Sequence, residues 1–214
     1  MKNTHNDVPM VVIKRLPRYY RYLGELIKQG VSRISSAALS EKMGVTASQI
    51  RQDFNCFGGF GQQGYGYNIQ NLHAEIGKIL GLRHEFAMII VGAGNMGRAL
   101  VNYASLEKRG FKIIGIFDND PQKIGTSIKD MPILDIAQLK SFCAENHVDI
   151  AALALPKDNV NEMAKTLISF GVKGLWNFSY TDIPVPSDVA IENVHLIDSL
   201  MTLSYKIKQN KEEN

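Results

Sequence analysis

The sequence predicts two folded units, a helical unit that ends in a hairpin and an α/β unit built on a doubly wound parallel sheet. Three observations carry this prediction. A helix–turn–helix pattern lies in the first third of the 214 residues. A glycine-rich turn between an apolar strand and a helix follows it, and strands then alternate with helices. We expect the boundary at His84, with units at residues 1–84 and 85–192 and a C-terminal helix at residues 193–214.

Composition and charge narrow the class of protein. The chain is 45% hydrophobic and 21% charged. It contains no apolar run near the roughly 18 residues that a membrane span needs, so we expect no membrane partner. Residues 1–84 carry 11 Lys and Arg against 5 Asp and Glu, whereas the rest of the chain carries 13 against 16. A basic first unit favours a polyanionic partner.

The cysteines and histidines give no sign of a disulfide framework or a metal site. Cys56 and Cys143 are the only cysteines of the sequence, and we expect both to be free thiols. No secretory signal is recognisable, so we expect a cytoplasmic location. The five histidines lack the paired spacing of metal ligands, so we expect no metal.

The helix–turn–helix pattern follows a first predicted helix over residues 17–30. Ser35 or Ser36 caps a short helix that ends at Gly44. Thr46 and Gln49 then have the spacing of a capping box, which predicts a second helix over residues 47–55. In a helix–turn–helix protein this second helix enters the major groove of DNA.

The second helix has the residue types that DNA recognition requires. Ile50 and Phe54 are spaced to pack inward. The polar residues able to reach base edges or phosphates are Ser48, Gln49, Arg51 and Gln52, with Arg51 the strongest candidate. A helical hairpin in any small bundle explains the local pattern equally well.

A stretch of alternating glycine and aromatic residues, FGGFGQQGYGY at residues 57–67, follows the second helix. Its glycines exclude a helix and suit a tight β-hairpin, which after a helix–turn–helix is a wing. The alternative is a flexible loop of low complexity. Helical spacing returns over residues 68–82.

The second unit opens with a dinucleotide-binding pattern. An apolar strand at residues 86–91 runs into GAGNMG at residues 92–97, and a helix begins near Met96. The three glycines at 92, 94 and 97 allow a tight turn, close approach to a pyrophosphate and close packing of helix on strand. The candidate pyrophosphate contacts are Gly92, Ala93, Gly94, Asn95, Met96 and Gly97.

An acidic residue ends the next strand, residues 111–118, at the distance that this pattern requires. Asp118 lies 21 residues after Gly97, where a carboxylate accepts hydrogen bonds from the adenosine ribose and repels a 2′-phosphate. NAD(H) is therefore favoured over NADP(H). The alternative to dinucleotide binding is a purely structural glycine turn. Pro156 ends a later strand on the edge where ligands bind, although it is equally a plain strand terminator.

The remaining elements complete the α/β pattern. Two helices are predicted over residues 136–146 and 159–170, and two strands over residues 148–156 and 173–178. The predicted helix at residues 194–208 has more apolar positions than one buried face needs. It either docks on its own subunit or lies in a dimer interface, and the charged tail beyond it is expected to fray.

Nothing in the sequence indicates an enzyme. A hydride-transfer enzyme adds a substrate domain with a proton donor to its cofactor domain, and this chain leaves no room for one. No G-x-S-x-G nucleophile pattern is present. The alternative function is a small NAD-dependent oxidoreductase or a CoA-type nucleotide-binding protein with an accessory helical domain.

Four segments resemble the Rex family of redox-sensing transcriptional repressors: SQIRQDFNCFGGFGQQGYGY, IIVGAGNMGRAL, FDNDPQKIG and VHLIDSLMTLSY. The similarity extends from about Pro9 to Lys208. It implies a homodimeric winged-helix repressor with Rossmann-like domains that bind NADH or NAD+ and a C-terminal helix exchanged between subunits. It also implies binding to inverted-repeat operator DNA and release of that DNA by NADH.

The resemblance carries over to individual residues. It implies DNA contacts through Arg51, and with the neighbouring polar and basic positions the expected set is Arg15, Arg18, Ser48, Gln49, Arg51, Gln52, Gln63 and Tyr65. Arg21 and Tyr103 match positions that couple the two states through an aspartate of the exchanged helix. Gln52 and Gln63 stand where the family is usually basic. His195 stands where the coupling aspartate is usual, and Asp198 lies one turn further on.

Overall fold

The computed structural model describes residues 8–58, 61–62 and 65–212, and the chain divides into two units after His84. Residues 1–84 make the N-terminal unit and residues 85–214 make the C-terminal unit. Gln63 lies outside the described residues.

The described part of the N-terminal unit consists of helices and three short strands. In chain order these are α1 (Met10–Ile13), α2 (Leu16–Lys28), β1 (Arg33–Ile34), α3 (Ser36–Met43), α4 (Ala47–Asn55), β2 (Gly61–Gln62), β3 (Gly66–Asn68) and α5 (Ile69–Ile79). Their core is built mainly from buried residues of α2 to α5, among them Tyr19, Leu23, Leu39, Ile50, Phe54 and Ile76.

Capping bonds confirm the predicted helix–turn–helix. Ser35 Oγ accepts a hydrogen bond from Ala38 N at 3.1 Å at the start of α3. Thr46 Oγ1 accepts one from Gln49 N at 3.1 Å at the start of α4. Gly44 ends α3 in the left-handed conformation, with φ at 63°. Since α4 spans Ala47–Asn55, it matches the predicted second helix at both ends.

The predicted hairpin is present, and it carries a strand that the sequence did not predict. β2 and β3 pair antiparallel, and β1 pairs antiparallel with the other edge of β3. Gly66 has φ at 69°, and a Cβ there would lie 2.7 Å from Ile34 O, so only glycine fits against β1. A strand as short as β1 has no periodicity to reveal it.

The C-terminal unit alternates strands and helices. Its elements are β4 (Phe86–Val91), α6 (Asn95–Asn102), β5 (Phe111–Asp118), β6 (Ser127–Ile128), β7 (Met131–Asp135), α7 (Leu139–Glu145), β8 (Ile150–Leu153), α8 (Lys157–Ser169), β9 (Gly174–Asn177), β10 (Ala190–Asn193) and α9 (Leu196–Glu212). Short 3₁₀ turns precede β5 and α7.

The sheet has the predicted doubly wound order. Its seven strands run β10-β9-β8-β4-β5-β7-β6, all parallel except β6 at one edge. Apolar cores cover both faces of the sheet. The chain winds one way from β4 to β5 and β7 and the other way to β8 and β9. The carboxyl ends of β4 and β8 therefore lie at the switch point, where ligands of such sheets bind.

Some boundaries differ from the predictions. The helix predicted from residue 136 begins with a 3₁₀ turn, and α7 itself starts at Leu139. The helix α9 continues to Glu212, so the charged tail expected to fray is helical through that residue. The short strands β6 and β10 were not predicted, because neither has an apolar alternation.

Candidate functional site

The helix α4 separates a buried face from an exposed polar face. Ile50 and Phe54 are buried in the core of the N-terminal unit. Ser48, Arg51 and Gln52 are exposed, as groups that contact DNA must be. The arrangement presents the N-terminal half of α4 as the predicted DNA-reading surface.

Two further DNA-binding candidates are exposed arginines. Arg18 is exposed on α2. Arg51 is exposed as well, and its Nη1 donates to Ser36 Oγ at 3.1 Å, which ties it loosely to the start of α3. A hydroxyl is a weak partner for a guanidinium, so Arg51 can exchange Ser36 for a base edge or a phosphate at small cost.

Arg15 has a different environment from the other candidates. Its Nε donates to Asp53 Oδ2 at 2.7 Å and its Nη2 to Asp53 Oδ1 at 2.6 Å. Asp53 is fully buried on the inner face of α4 and also accepts from Tyr19 Oη at 2.8 Å and Gln49 Nε2 at 2.9 Å. Burial alone raises the pKa of the Asp53 carboxyl, but the bonds from Arg15, Tyr19 and Gln49 outweigh it and hold that pKa below its ordinary value.

Tyr65, immediately before β3, is exposed at the hairpin. Arg33 of β1 donates from Nη1 to Tyr65 O at 3.2 Å, and its guanidinium carbon lies 6.0 Å from the centroid of the Tyr65 ring. Sequence reasoning did not single out Arg33. The contact places one more exposed cation beside the hairpin.

The glycine turn at residues 92–97 has the geometry of a nucleotide cradle. Gly92 has φ at 104°, and a Cβ on it would lie 2.3 Å from Ala154 O. A Cβ on Gly97 would lie 1.9 Å from Gly92 O, so helix α6 packs directly on the turn. Gly94 faces open space, with nothing within 4 Å of a Cβ built there. A pyrophosphate can approach the backbone at Gly94 and the first amides of α6.

The other turn residues support this geometry. Ala93 is buried and donates its N–H to Asp118 Oδ2 at 2.7 Å. Met96 packs partly buried against the apolar core on that face of the sheet, while Asn95 is exposed at the start of α6. The turn is therefore held from inside by β5 and remains open to solvent at Gly94 and Asn95.

Asp118 lies at the end of β5 and is almost fully buried. Besides the bond from Ala93, its Oδ1 accepts from Asp120 N at 2.9 Å, and Lys123 Nζ lies 3.4 Å from its Oδ2. Burial by itself raises the pKa of this carboxyl, but the N–H groups of Asp120 and Ala93 and the Lys123 ammonium lower it further than burial raises it. Asp118 is therefore an ionised acceptor at the place expected for a ribose contact.

A cleft of about 640 Å³ connects these groups. It is lined by Gly92, Gly94, Asp118, Asn119, Lys123, Ile136, Ala154, Leu155, Pro156, Asn159, Glu162, Met163 and Thr166. Pro156 lies at the N-terminus of α8, next to the end of β8. The residues present suit a dinucleotide, because amides and open backbone meet an acidic acceptor in one cleft at the switch point.

Three of the four candidate switch residues lie at exposed positions, and the fourth, His195, does not. Arg21 is exposed on α2, and Tyr103 is exposed just after α6. His195 immediately precedes α9 and is mostly buried; its Nδ1 lies 3.8 Å from Asp198 Oδ2, and its Nε2 is buried without a hydrogen-bond partner. Asp198 is exposed in the first turn of α9.

Two more candidate site residues escaped sequence reasoning in addition to Arg33. Asp53 follows Gln49 by four positions, a spacing that places both on one side of a helix, but its burial depends on contacts with α2. Lys123 follows Asp118 by five positions within FDNDPQK and lines the cleft.

Across the described ranges of the chain, no three His, Cys, Asp or Glu side chains are grouped to hold a metal ion. None of the helices described is both long and apolar enough to cross a bilayer.

Family models match both units. The family described as "Putative DNA-binding protein N-terminus" matches residues 7–55, and the family described as "CoA binding domain" matches residues 83–181.

Named relatives match nearly the whole chain. The redox-sensing transcriptional repressor Rex of Thermoanaerobacter sp. (strain X514) is 56% identical over 206 residues, which cover 96% of this chain and 91% of the relative. Rex of Clostridium perfringens (strain 13 / Type A) is 51% identical over 203 residues, which cover 95% of this chain and 96% of that relative.

Solved structures of the Rex-family repressor RSP have the same fold. RSP in complex with beta-NAD+ and operator DNA superposes with a TM-score of 0.89 at 54% identity, over 95% of this chain and 94% of that one. RSP in complex with beta-NADH superposes with a TM-score of 0.89 at 51% identity, over 96% and 97% of the two chains.

Proposed function

Because the chain belongs to the Rex family of redox-sensing transcriptional repressors, we propose that it binds operator DNA as a homodimer and releases it when NADH binds. The observation that carries the proposal is the pairing of two sites in one chain. The exposed polar face of α4 lies in one unit, and the nucleotide cleft at the switch point lies in the other.

On the DNA side, α4 enters the major groove and the hairpin lies beside it. The contacts come from Arg18, Ser48, Gln49, Arg51, Gln52, Gln63 and Tyr65. Two copies of α4 related by a two-fold axis require an operator that is an inverted repeat. Gln52 and Gln63 are neutral where the family is usually basic. Each of these two replacements makes the negative slope of log K against log salt shallower by about one unit.

On the nucleotide side, the turn at residues 92–97 accepts the pyrophosphate and Asp118 accepts hydrogen bonds from the adenosine ribose. Pro156 borders the cleft where the strands end. The ionised carboxylate of Asp118 disfavours a 2′-phosphate by repulsion, so the ligands are NADH and NAD+ rather than their phosphorylated forms.

The switch requires only differential binding. If the arrangement of subunits that fits the operator binds NADH less tightly than a closed arrangement, NADH must weaken DNA binding by the same factor. A change from 1:99 to 99:1 needs about 5.5 kcal/mol, which two cofactor sites share. Arg21, Tyr103, His195 and Asp198 are the residues that we assign to this coupling, with α9 exchanged between subunits.

The chain acts by binding and catalyses no reaction on the nucleotide, and its location is the cytoplasm. A hydride-transfer enzyme needs a substrate and a proton donor beside the nucleotide, and in this proposal residues 1–84 serve as a DNA-binding unit instead. The match of residues 83–181 to a CoA-binding family keeps coenzyme A as the competing ligand.

The proposal is tested with DNA selected from random sequence by the purified protein. We expect an inverted repeat, and we expect NADH to displace the protein from it in a gel-shift assay, with NADPH and coenzyme A having no effect. Turnover of NADH with a metabolite and no DNA binding would overturn the proposal, as would displacement by coenzyme A alone.

Arg51→Ala supplies the control for this assay. Removing a base-contacting arginine costs about 1–3 kcal/mol of DNA binding for each subunit. NADH affinity, measured by fluorescence titration, should stay at the wild-type value because Gly92–Gly97 and Arg51 belong to different units. Equal loss of both affinities would contradict the assignment of the two sites.

A further inference from the structure

We propose, resting on the DNA-binding function above, that Asp53 is the positioning residue of the DNA-reading helix and that it presents Gln49 to an adenine of the operator. The same network makes Arg15 a part of this support rather than a contact to phosphate.

Asp53 accepts four hydrogen bonds, two on each oxygen. Arg15 Nε and Tyr19 Oη donate to Oδ2 at 2.7 and 2.8 Å, and Arg15 Nη2 and Gln49 Nε2 donate to Oδ1 at 2.6 and 2.9 Å. A carboxylate has about four acceptor positions, so all of them are used. Asp53 has no exposed surface, which leaves it to act on DNA only through the side chains that it holds.

The carboxylate determines which way the Gln49 amide faces. Since an ionised carboxylate only accepts, the NH₂ group of Gln49 must face Asp53 and not its oxygen. The amide oxygen is repelled by the same carboxylate, so the N–H that points away from that oxygen makes the bond. The other N–H and Oε1 then form a donor–acceptor pair on the outer edge of the side chain.

This outer edge matches one base. An amide that donates and accepts side by side pairs with N7 and N6 of adenine in the major groove, the bidentate contact known for Gln and Asn. Gln49 is the third residue of α4, within the N-terminal part of a recognition helix that meets base edges. It is half-buried, so part of the residue remains accessible to solvent.

Arg15 differs from a phosphate contact in its charge balance. Its guanidinium forms a two-point ion pair with a buried carboxylate, and its side chain is 27% exposed. Because Asp53 compensates the charge, binding DNA releases no counterion on account of Arg15. An exposed arginine with no acidic partner contributes to the salt dependence instead.

The experiment measures equilibrium binding of the full-length protein to its selected operator and to variants with each base pair of the half-site replaced. Gln49→Ala should lose discrimination at a single A·T pair by roughly 5- to 150-fold, and the ranking of all other replacements should be kept. Uniform weakening across the panel, or loss of discrimination at a G·C pair, would show that Gln49 does not read adenine.

Tyr19→Phe tests the positioning role with a smaller change. It removes one donor to Asp53, and we expect discrimination at the same A·T pair to fall by roughly 2- to 10-fold. The matched control is Tyr22→Phe on the same helix, whose hydroxyl is not among the donors to Asp53; it should bind like wild type. If the two tyrosine variants behave alike, Asp53 does not position Gln49.

Arg15→Gln tests the charge balance through the slope of log K against log salt. We expect weaker binding with the wild-type slope, whereas a slope lower by about one unit for each subunit would make Arg15 a phosphate contact. Failure of the wild-type protein to bind any DNA would overturn the proposed function together with this inference. Binding with unaltered specificity in the variants would overturn this inference alone.

Discussion

Helices α8 and α9 have the same apolar spacing but opposite surroundings. In α8, Val160, Ala164 and Leu167 are fully buried against the sheet. In α9, Leu196, Leu200, Leu203 and Ile207 have the same three- and four-residue spacing, yet between 50% and 61% of each residue is exposed. Met201 and Tyr205 add a second exposed apolar row.

The difference shows which parts of the molecule are complete within one chain. So many large apolar side chains exposed on one helix are typical of a surface that another chain covers. The nucleotide cleft also contains one packed and one open position. Gly97 is enclosed by its own chain, whereas Gly94 faces open space. Substitution of an enclosed residue should therefore unfold the protein. Substitution of an exposed residue should leave the fold intact and weaken binding.

The largest effect is expected for a charge placed in α8. Leu167→Asp puts an unpaired carboxylate into a fully buried site, so the free energy of unfolding should fall by about 4 kcal/mol or more. Urea unfolding followed by circular dichroism measures it. A fall below about 1 kcal/mol would mean that α8 is not packed as described.

The equivalent change in α9 should leave the fold intact and separate the subunits. Leu200→Asp with Leu203→Asp removes apolar burial worth about 1.5–3 kcal/mol for each leucine from a dimer interface, so the dimer dissociation constant should rise at least about 100-fold. Sedimentation velocity over a concentration series measures this constant.

Gln209→Asp is the control for that experiment, because it places a carboxylate on the same helix at a polar position. It should remain dimeric. If the double leucine variant is as dimeric as wild type, or if wild type is monomeric at micromolar concentration, α9 does not form the interface.

Two of the three glycines of the turn, Gly94 and Gly97, give a contrast of smaller size. Gly97→Ala places a Cβ against backbone at Gly92 O, so we expect it to destabilise the fold by about 2 kcal/mol. Gly94→Ala should cost less than about 1 kcal/mol, since alanine is only a poorer N-cap there. It should nevertheless weaken NADH binding about 10-fold or more, because its Cβ occupies the approach to the backbone.

Calorimetric titration with NADH and thermal unfolding separate the two glycine variants. If Gly94→Ala binds NADH with wild-type affinity, the pyrophosphate does not bind at this turn.

The smallest effect concerns the pH dependence of Asp118. The pKa of Asp118 is lowered in the folded state, so the folded protein binds fewer protons than the unfolded chain. The Asp118 carboxylate therefore stabilises the fold above about pH 4, and this contribution is lost as the pH falls. Asp118→Asn should be less stable than wild type by about 1 kcal/mol at pH 7, with the difference shrinking between about pH 5 and pH 3. Urea unfolding across this range checks the sign, and a difference that grows in acid would contradict it.

Local chemistry explains why much of the fold was predictable. Thr46 and Gln49 predict the start of α4, and the glycines at 92, 94 and 97 predict the turn between β4 and α6. Each signal lies within a few residues and depends on backbone geometry that neighbours determine. The short strands β1 and β6 carry no such signal, because their pairing partners alone make them strands.

The candidate sites divide in the same way. Arg51 and Asp118 could be named from spacing, since a helix and a strand place them directly. The role of Asp53 could not, because its donors Arg15 and Tyr19 lie 38 and 34 residues away along the chain. The ion pair of Lys123 with Asp118 likewise depends on the turn after β5.

By itself the sequence determined the order of the elements, the helix–turn–helix, the glycine turn and the acidic end of β5, because capping, periodicity and glycine geometry act over short stretches. Tertiary structure alone decided which polar groups are buried together and which apolar faces stay exposed. Those outcomes depend on contacts between distant segments, whose free energies no local pattern records.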